Sequence, residues 1–109
     1  ASQAAAENFI SQGVVGLYGD NEPGAVGVGN AVAANASWDG VAVGFDATST
    51  ALDLVDSGAL YCVMAQNPQG MGDGAIRAAY TLATGGTLEE TDVDTGATVV
   101  TAENSADFR

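Results

Sequence analysis

The chain has 109 residues, 47% hydrophobic and only 6% aromatic, with 14 acidic residues against two arginines, no lysine and no histidine, for a net charge of −12. That length fits one small domain with a limited core, and that charge repels phosphate backbones and anionic membrane surfaces, which argues against nucleic-acid or lipid partners. So lopsided a count fits either adaptation to high salt, where counterions screen self-repulsion, or a piece whose basic residues lie elsewhere.

Residues 1–12 read as an amphipathic helix, with Ala5, Phe9 and Ile10 near helical spacing. One unit then recurs three times. "VVGLYG" (14–19), "VAVGF" (41–45) and "ALYCVMA" (59–65) are short apolar runs, each followed by a polar turn and a helical pattern. The helices are predicted at 23–34, 49–56 and 68–84. Strands alternating with helices predict parallel βαβ units with right-handed crossovers, and continuous apolar strands predict a sheet covered on both faces. The acidic stretch "GGTLEETDVDTG" (85–96) reads as a connection, and "ATVVTAEN" (97–104) as one more extended segment ending in a capped turn, outside the βα series. Three parallel strands are few for a stable doubly wound sheet, so further strands are expected on the amino-terminal side, from a longer chain or from a second chain that completes the sheet.

Parallel units align the carboxyl ends of their strands along one edge, outside which ligands of such sheets bind. The residues there are "GDNEPG" (19–24), "FDATST" (45–50) and "AQNPQG" (65–70), which nominate Asp20, Asn21, Glu22, Asp46, Gln66 and Asn67. Carboxylates and amides suit neutral polyols, because each can take two hydrogen bonds from adjacent hydroxyls. Helix capping competes with that reading. Asn67-Pro68 reads as cap plus first-turn proline, and Glu22-Pro23 nearly so. Thr48 or Ser49 can cap the helix after the second strand, which relieves Asp46 of that duty, and glutamine is a poor cap, so Asp46 and Gln66 read as ligand contacts. Asn21 stays open between the two.

Most catalytic chemistry is excluded by composition. Without histidine there is no imidazole base or histidine triad, and without lysine no Schiff base or phosphate-loop lysine. "GVGN" (27–30) lacks the third glycine of a dinucleotide fingerprint and falls inside a helix, where packing against a neighbour explains it. The Asp92-x-Asp94-x-Gly96 fragment lacks the further ligands of a calcium loop. Trp38 precedes a strand and so sits at the amino edge, where packing explains it. Cys62, alone and mid-strand, reads as a small buried apolar residue. No enzyme, cofactor or metal is expected.

"VAVGFDATSTALDLVDSGAL" followed by "VMAQNPQGMGDGAIRAAYTLATG" resembles the carboxyl-terminal lobe of periplasmic sugar-binding proteins of the ribose-binding type, the solute receptors of ABC importers. "GLYGDNEPGAVGVGNAV" is similar to a strand-to-helix segment of that family, with Glu22 where an Asp is usual, and "DTGATVVTAEN" is similar to the last segment, which crosses the hinge. The resemblance implies a three-layer αβα lobe with a parallel sheet and flavodoxin-like topology, residues 1–88 forming part of the lobe and 89–109 the acidic connection and tail. It implies Asn21, Asp46 and Gln66 as contacts to a pentose or hexose, ABC importer membrane subunits as partners, a missing amino-terminal lobe, and a periplasmic or extracellular location, although no charged-then-apolar leader opens these residues. The effector core of a sugar-responsive repressor and a flavodoxin-like domain without a sugar role are the alternatives.

Overall fold

A computed structural model describes all 109 residues. In chain order it contains α1 (Ser2–Ser11), β1 (Gly16–Tyr18), α2 (Glu22–Ala34), β2 (Val41–Phe45), α3 (Ser49–Asp56), β3 (Cys62–Gln66), α4 (Pro68–Ala83), β4 (Ala97–Val100) and a terminal 3-10 helix (Ser105–Phe108). Two units are distinguished, residues 1–65 with 98–109, and residues 66–97.

The first unit is built on a sheet of order β1-β2-β3-β4. β1 pairs with β2 in parallel through Leu17↔Ala42, and β2 with β3 through Gly44↔Val63. The parallel α/β class expected from the sequence is the class observed. The tail, expected to stand outside the series, instead adds β4 beside β3, and buries Val100 completely.

Partner residues in parallel strands point to the same side, so Leu17, Ala42, Gly44, Val63 and Ala65 make one buried face. Against it pack Ala25, Val28 and Ala31 of α2 with Ala51, Leu52 and Val55 of α3, and Leu60 fills the corner before β3. Burying side chains such as Leu52, Leu60, Val55 and Val63 stabilises the unit by roughly 1.5–3 kcal/mol each. The other face is less covered than continuous apolar strands suggested: Tyr18 is 59% and Val41 55% exposed, because the core residues of α1, α2 and α3 pack on the face of Leu17, Ala42 and Val63.

Small residues set the helix spacing. A Cβ on Gly29 would lie 2.6 Å from Leu54 Cδ1, and one on Gly27 would lie 2.5 Å from Ser2 Cβ, so "GVGN" is where α2 receives α3 and α1. That close approach also corrects the reading of α1. Its inward stripe is Ser2, Ala6 and Ile10, at i, i+4 and i+8, whereas Ala5 and the bulkier Phe9 are exposed. Trp38 donates its indole N–H to the Val14 carbonyl at 2.7 Å and packs on the core, and Cys62 is buried, which pushes its thiol pKa up.

In the second unit α4 opens at Asn67, whose Oδ1 accepts from Gly70 N–H at 3.0 Å and whose Nδ2 donates to the Thr95 carbonyl at 3.3 Å. Arg77 and Asp73 pair one turn apart on its surface at 2.8 Å. The helix stops at Thr84 and at Gly85, which takes φ +82°, a value that favours glycine. Asp94 Oδ1 accepts from Gly96 N–H at 2.8 Å, so this carboxylate closes a turn.

Candidate functional site

β1 and β2 run side by side in the same direction, so their carboxyl ends open on one edge of the sheet. The ladder continues past β1, where Gly19 N–H donates to the Val43 carbonyl at 3.0 Å. The chain then turns at once into α2. Only glycine permits this, since a Cβ on residue 19 would sit 2.3 Å from Ala25 N. Asp20 follows, exposed, and Asn21 caps the helix, its Oδ1 accepting from Gly24 N–H at 2.8 Å. A Cβ on Gly24 would crowd both Asn21 Oδ1 at 3.0 Å and Asp20 Oδ1 at 3.2 Å, so this glycine lets two oxygen-bearing side chains gather over the first turn.

Capping therefore belongs to Asn21. Glu22, expected from Glu22-Pro23 to serve near the cap, occupies the first helical position instead, where a carboxylate is stabilised by the helix dipole. The correction has a simple cause: asparagine is short enough to fold back onto its own helix, whereas glutamate at the next position already carries helical dihedrals.

Beyond β2 the ladder is extended by one bond, Asp46 N–H to the Met64 carbonyl at 2.9 Å. Asp46 itself takes φ +72°, the one non-glycine residue in the left-handed region. That conformation is costly for a residue with a Cβ, and aspartate is among the few that adopt it. It turns the chain sharply at the strand tip, and the half-buried residue holds a carboxylate there. Capping of α3 falls to Thr48, whose Oγ1 accepts from Ala51 N–H at 3.4 Å, as the residue order predicted.

β3 ends at Gln66, which is exposed, and Asn67 caps α4 as expected from Asn67-Pro68. The structure thus places Asn21 and Asp46 just past the ends of two adjacent parallel strands, and Gln66 at the last position of the third. The left-handed conformation of Asp46 had no sequence signal beyond the residue type. Gly24 was signalled only by its place three residues after the capping asparagine.

A cavity of about 420 Å³ in the first unit lies elsewhere, along the outer edge of β1 between Phe9, Leu17 and Val28. It reaches Asp20, and neither Asn21 nor Asp46 lines it. Asn21 and Asp46 follow the carboxyl ends of neighbouring strands of the first unit, with Asn21 exposed and Asp46 half-buried.

The profile of the periplasmic binding protein domain family matches residues 1–87. Among solved structures, a carbohydrate transporter solute-binding protein from Agrobacterium radiobacter in complex with D-arabinose is 33% identical, with a TM-score of 0.85 over 97% of this chain and 37% of that one. A solute-binding protein of an ABC transporter from Agrobacterium vitis, bound with α-D-tagatopyranose, is 28% identical with a TM-score of 0.86, over 97% of this chain and 36% of its own. An arabinose-binding protein from Geobacillus stearothermophilus is 28% identical with a TM-score of 0.80, over 99% and 41% of the two chains. This chain therefore spans about two fifths of the length of these solved relatives. A search of curated proteins found no match. The chain belongs to the periplasmic binding protein domain family and has the α/β fold of its sugar-binding solute receptors.

Proposed function

We propose that these residues form part of the carboxyl-terminal lobe of a monosaccharide receptor that serves an ABC importer, and that Asn21, Asp46 and Gln66 are its sugar contacts on this lobe. The observation that carries the reading is the position of Asn21 and Asp46 at the carboxyl ends of neighbouring parallel strands, in a chain 33% identical to a carbohydrate transporter solute-binding protein.

The chemistry is hydrogen bonding to neutral hydroxyls. A carboxylate at Asp46 accepts from two adjacent hydroxyl groups, and its left-handed backbone fixes the direction of approach before the sugar arrives. Asn21 Oδ1 is engaged by Gly24 N–H, so Nδ2 is the group that donates to a sugar oxygen. Gln66 supplies both a donor and an acceptor, while Asn67 caps and Pro68 stiffens the corner. The result is a division of labour in which neighbouring amides hold sugar and helix.

One lobe satisfies only part of a sugar's hydroxyl shell. Binding therefore favours a closed state in which a second lobe supplies the rest, and the sugar shifts the population toward that state. Closure in turn presents the receptor to the membrane subunits of the importer, on the outer side of the membrane. With neither histidine nor lysine among these residues, their side chains suit recognition rather than acid-base catalysis by imidazole or amine.

Isothermal titration calorimetry of the full-length receptor against a panel of pentoses and hexoses tests this. Saturable binding of at least one sugar is expected, with a loss of tenfold or more in the Asp46→Ala variant, given about 1.4 kcal/mol per tenfold. Absence of binding across the panel, or undiminished affinity in that variant, would overturn it.

A further inference from the structure

The last residues of the chain are fastened to α3 at one place. After β4 the turn at 101–104 is closed by its own asparagine: Thr101 N–H donates to Asn104 Oδ1 at 2.8 Å, and Asn104 Nδ2 donates to the Val99 carbonyl at 3.1 Å. This makes the turn internally rigid. It is not fastened by dense packing, because a cavity of about 330 Å³ separates Thr101–Glu103 from Val55, Leu60 and Tyr61.

Four polar residues do the fastening. Ser105, 5% exposed, donates from Oγ to Asp56 Oδ1 at 2.6 Å. Arg109 Nη2 lies 2.6 Å from Asp56 Oδ2 and 2.9 Å from Asp53 Oδ1. Asp53 and Asp56 are three residues apart on α3 and so share a face. One arginine thereby bridges two carboxylates, in a chain with only two cations against 14 acidic residues. Phe108 adds a partly buried apolar contact.

We propose that Asp53, Asp56, Ser105 and Arg109 form an ionic clasp that holds a carboxyl-terminal strap, residues 101–109, on α3, and that the strap opens as a unit while β1, β2 and β3 stay folded. Three features make it able to open. The ion-paired side chains are 38–71% exposed, so water competes for each pair. The cavity beneath the turn leaves Phe108 as the partly buried apolar contact given up on lifting. The Thr101–Asn104 hydrogen bond lies within the strap and travels with it, whereas the bond from Asn104 Nδ2 to the Val99 carbonyl marks where the strap hinges on β4. Such a segment belongs to the low-stability end of a protein's local openings. The clasp is independent of any sugar reading.

Salt separates the clasp from general stability. Screening weakens the Arg109 pairs, yet it also relieves repulsion among the many carboxylates of the core unit, so strap and core must respond in opposite directions.

Hydrogen exchange read by mass spectrometry on the intact protein tests the proposal. In Arg109→Gln, peptides covering 101–109 should exchange about fivefold faster or more, while those of β2 and β3 stay within about twofold. Arg109→Lys should fall between wild type and Arg109→Gln, since it keeps the charge and loses the planar fork. Raising salt from about 0.05 to about 1 M should speed the strap and slow the core in the wild type. Ser105→Ala, which leaves both ion pairs in place, provides the same readout should Arg109→Gln fold poorly. Unchanged strap exchange in both variants, or acceleration spread evenly over strap and core, would overturn the clasp.

Discussion

Gly44 sits where β2 meets α2, and replacing it by alanine tests the packing directly. A Cβ there would lie 2.5 Å from Ala25 Cβ, 3.2 Å from Val63 Cγ1 and 3.3 Å from Ala25 Cα. Carbon atoms in ordinary contact stand about 3.5–4.0 Å apart, so α2 must retreat by about 1 Å. Overpacking of this kind costs about 1–3 kcal/mol, which for a domain near this size lowers Tm by about 4–8 °C per kcal/mol. Ala25 is fully buried and belongs to the helix that carries Asn21, so the displacement also moves the strand-end rim. Ala25→Gly removes the opposing methyl at a helix-propensity cost of about 1 kcal/mol. The double variant loses the tightest of these contacts and keeps those to Val63 Cγ1 and to Cα of residue 25, so it should be more stable than the two single losses predict by about 1–2 kcal/mol. Urea denaturation followed by circular dichroism, on all four members of the cycle, measures this. Gly44→Ala within about 0.5 kcal/mol of wild type, or strictly additive losses, would refute the packing described here.

Three other outcomes follow from the same structure. Leu52 is completely buried between α3 and the sheet, so Leu52→Ala should cost about 2–5 kcal/mol in urea denaturation. Asp46 takes φ +72°, so Asp46→Gly should be more stable than Asp46→Ala by about 1 kcal/mol, although both lose the carboxylate; equal stability would remove the backbone argument. The Ser105 hydroxyl and the Arg109 guanidinium hold the Asp56 carboxyl below its usual value of 3.8. A depressed folded pKa means that the unfolded chain takes up this proton first. The contribution is thus complete above the usual value and is lost as pH falls through the folded one. Asp53 and Arg109 are the charged groups facing Asp56, and Arg109 stays protonated throughout. Asp56→Asn should therefore narrow the stability gap between about pH 6 and about pH 3, as measured by urea denaturation at both.

What was legible in the sequence had local causes. β2 at 41–45 and α3 at 49–56 are bounded by strong signals, a glycine before the strand and Thr48-Ser49 before the helix, and both appear at those limits. "GVGN" was readable as packing because two glycines on either side of a helix centre have few other uses. Tertiary choices were not legible. The helical spacing of Ala5, Phe9 and Ile10 is legible but not which face turns inward: Gly27 of α2 receives Ser2, on the face that carries Ala6 and Ile10, and Ala5 and Phe9 stay exposed. β3 begins at Cys62 rather than at 59, since Ala59 and Leu60 spend their apolar surface in the corner after α3. β4 pairs with β3 through backbone groups that any sequence carries, so nothing in 97–100 announced its neighbour. At the rim, residue types and strand ends could be read, but the division between cap and contact at Asn21, and the backbone of Asp46, depend on dihedral angles.

The central claim is that the corners after the three parallel strands present their side chains to a sugar. A crystal structure of the full-length receptor with its bound monosaccharide addresses it most directly. The account predicts side-chain oxygen or nitrogen atoms of Asn21, Asp46 and Gln66 within about 2.6–3.2 Å of sugar hydroxyls. A sugar seated elsewhere, with none of the three in reach, would contradict it.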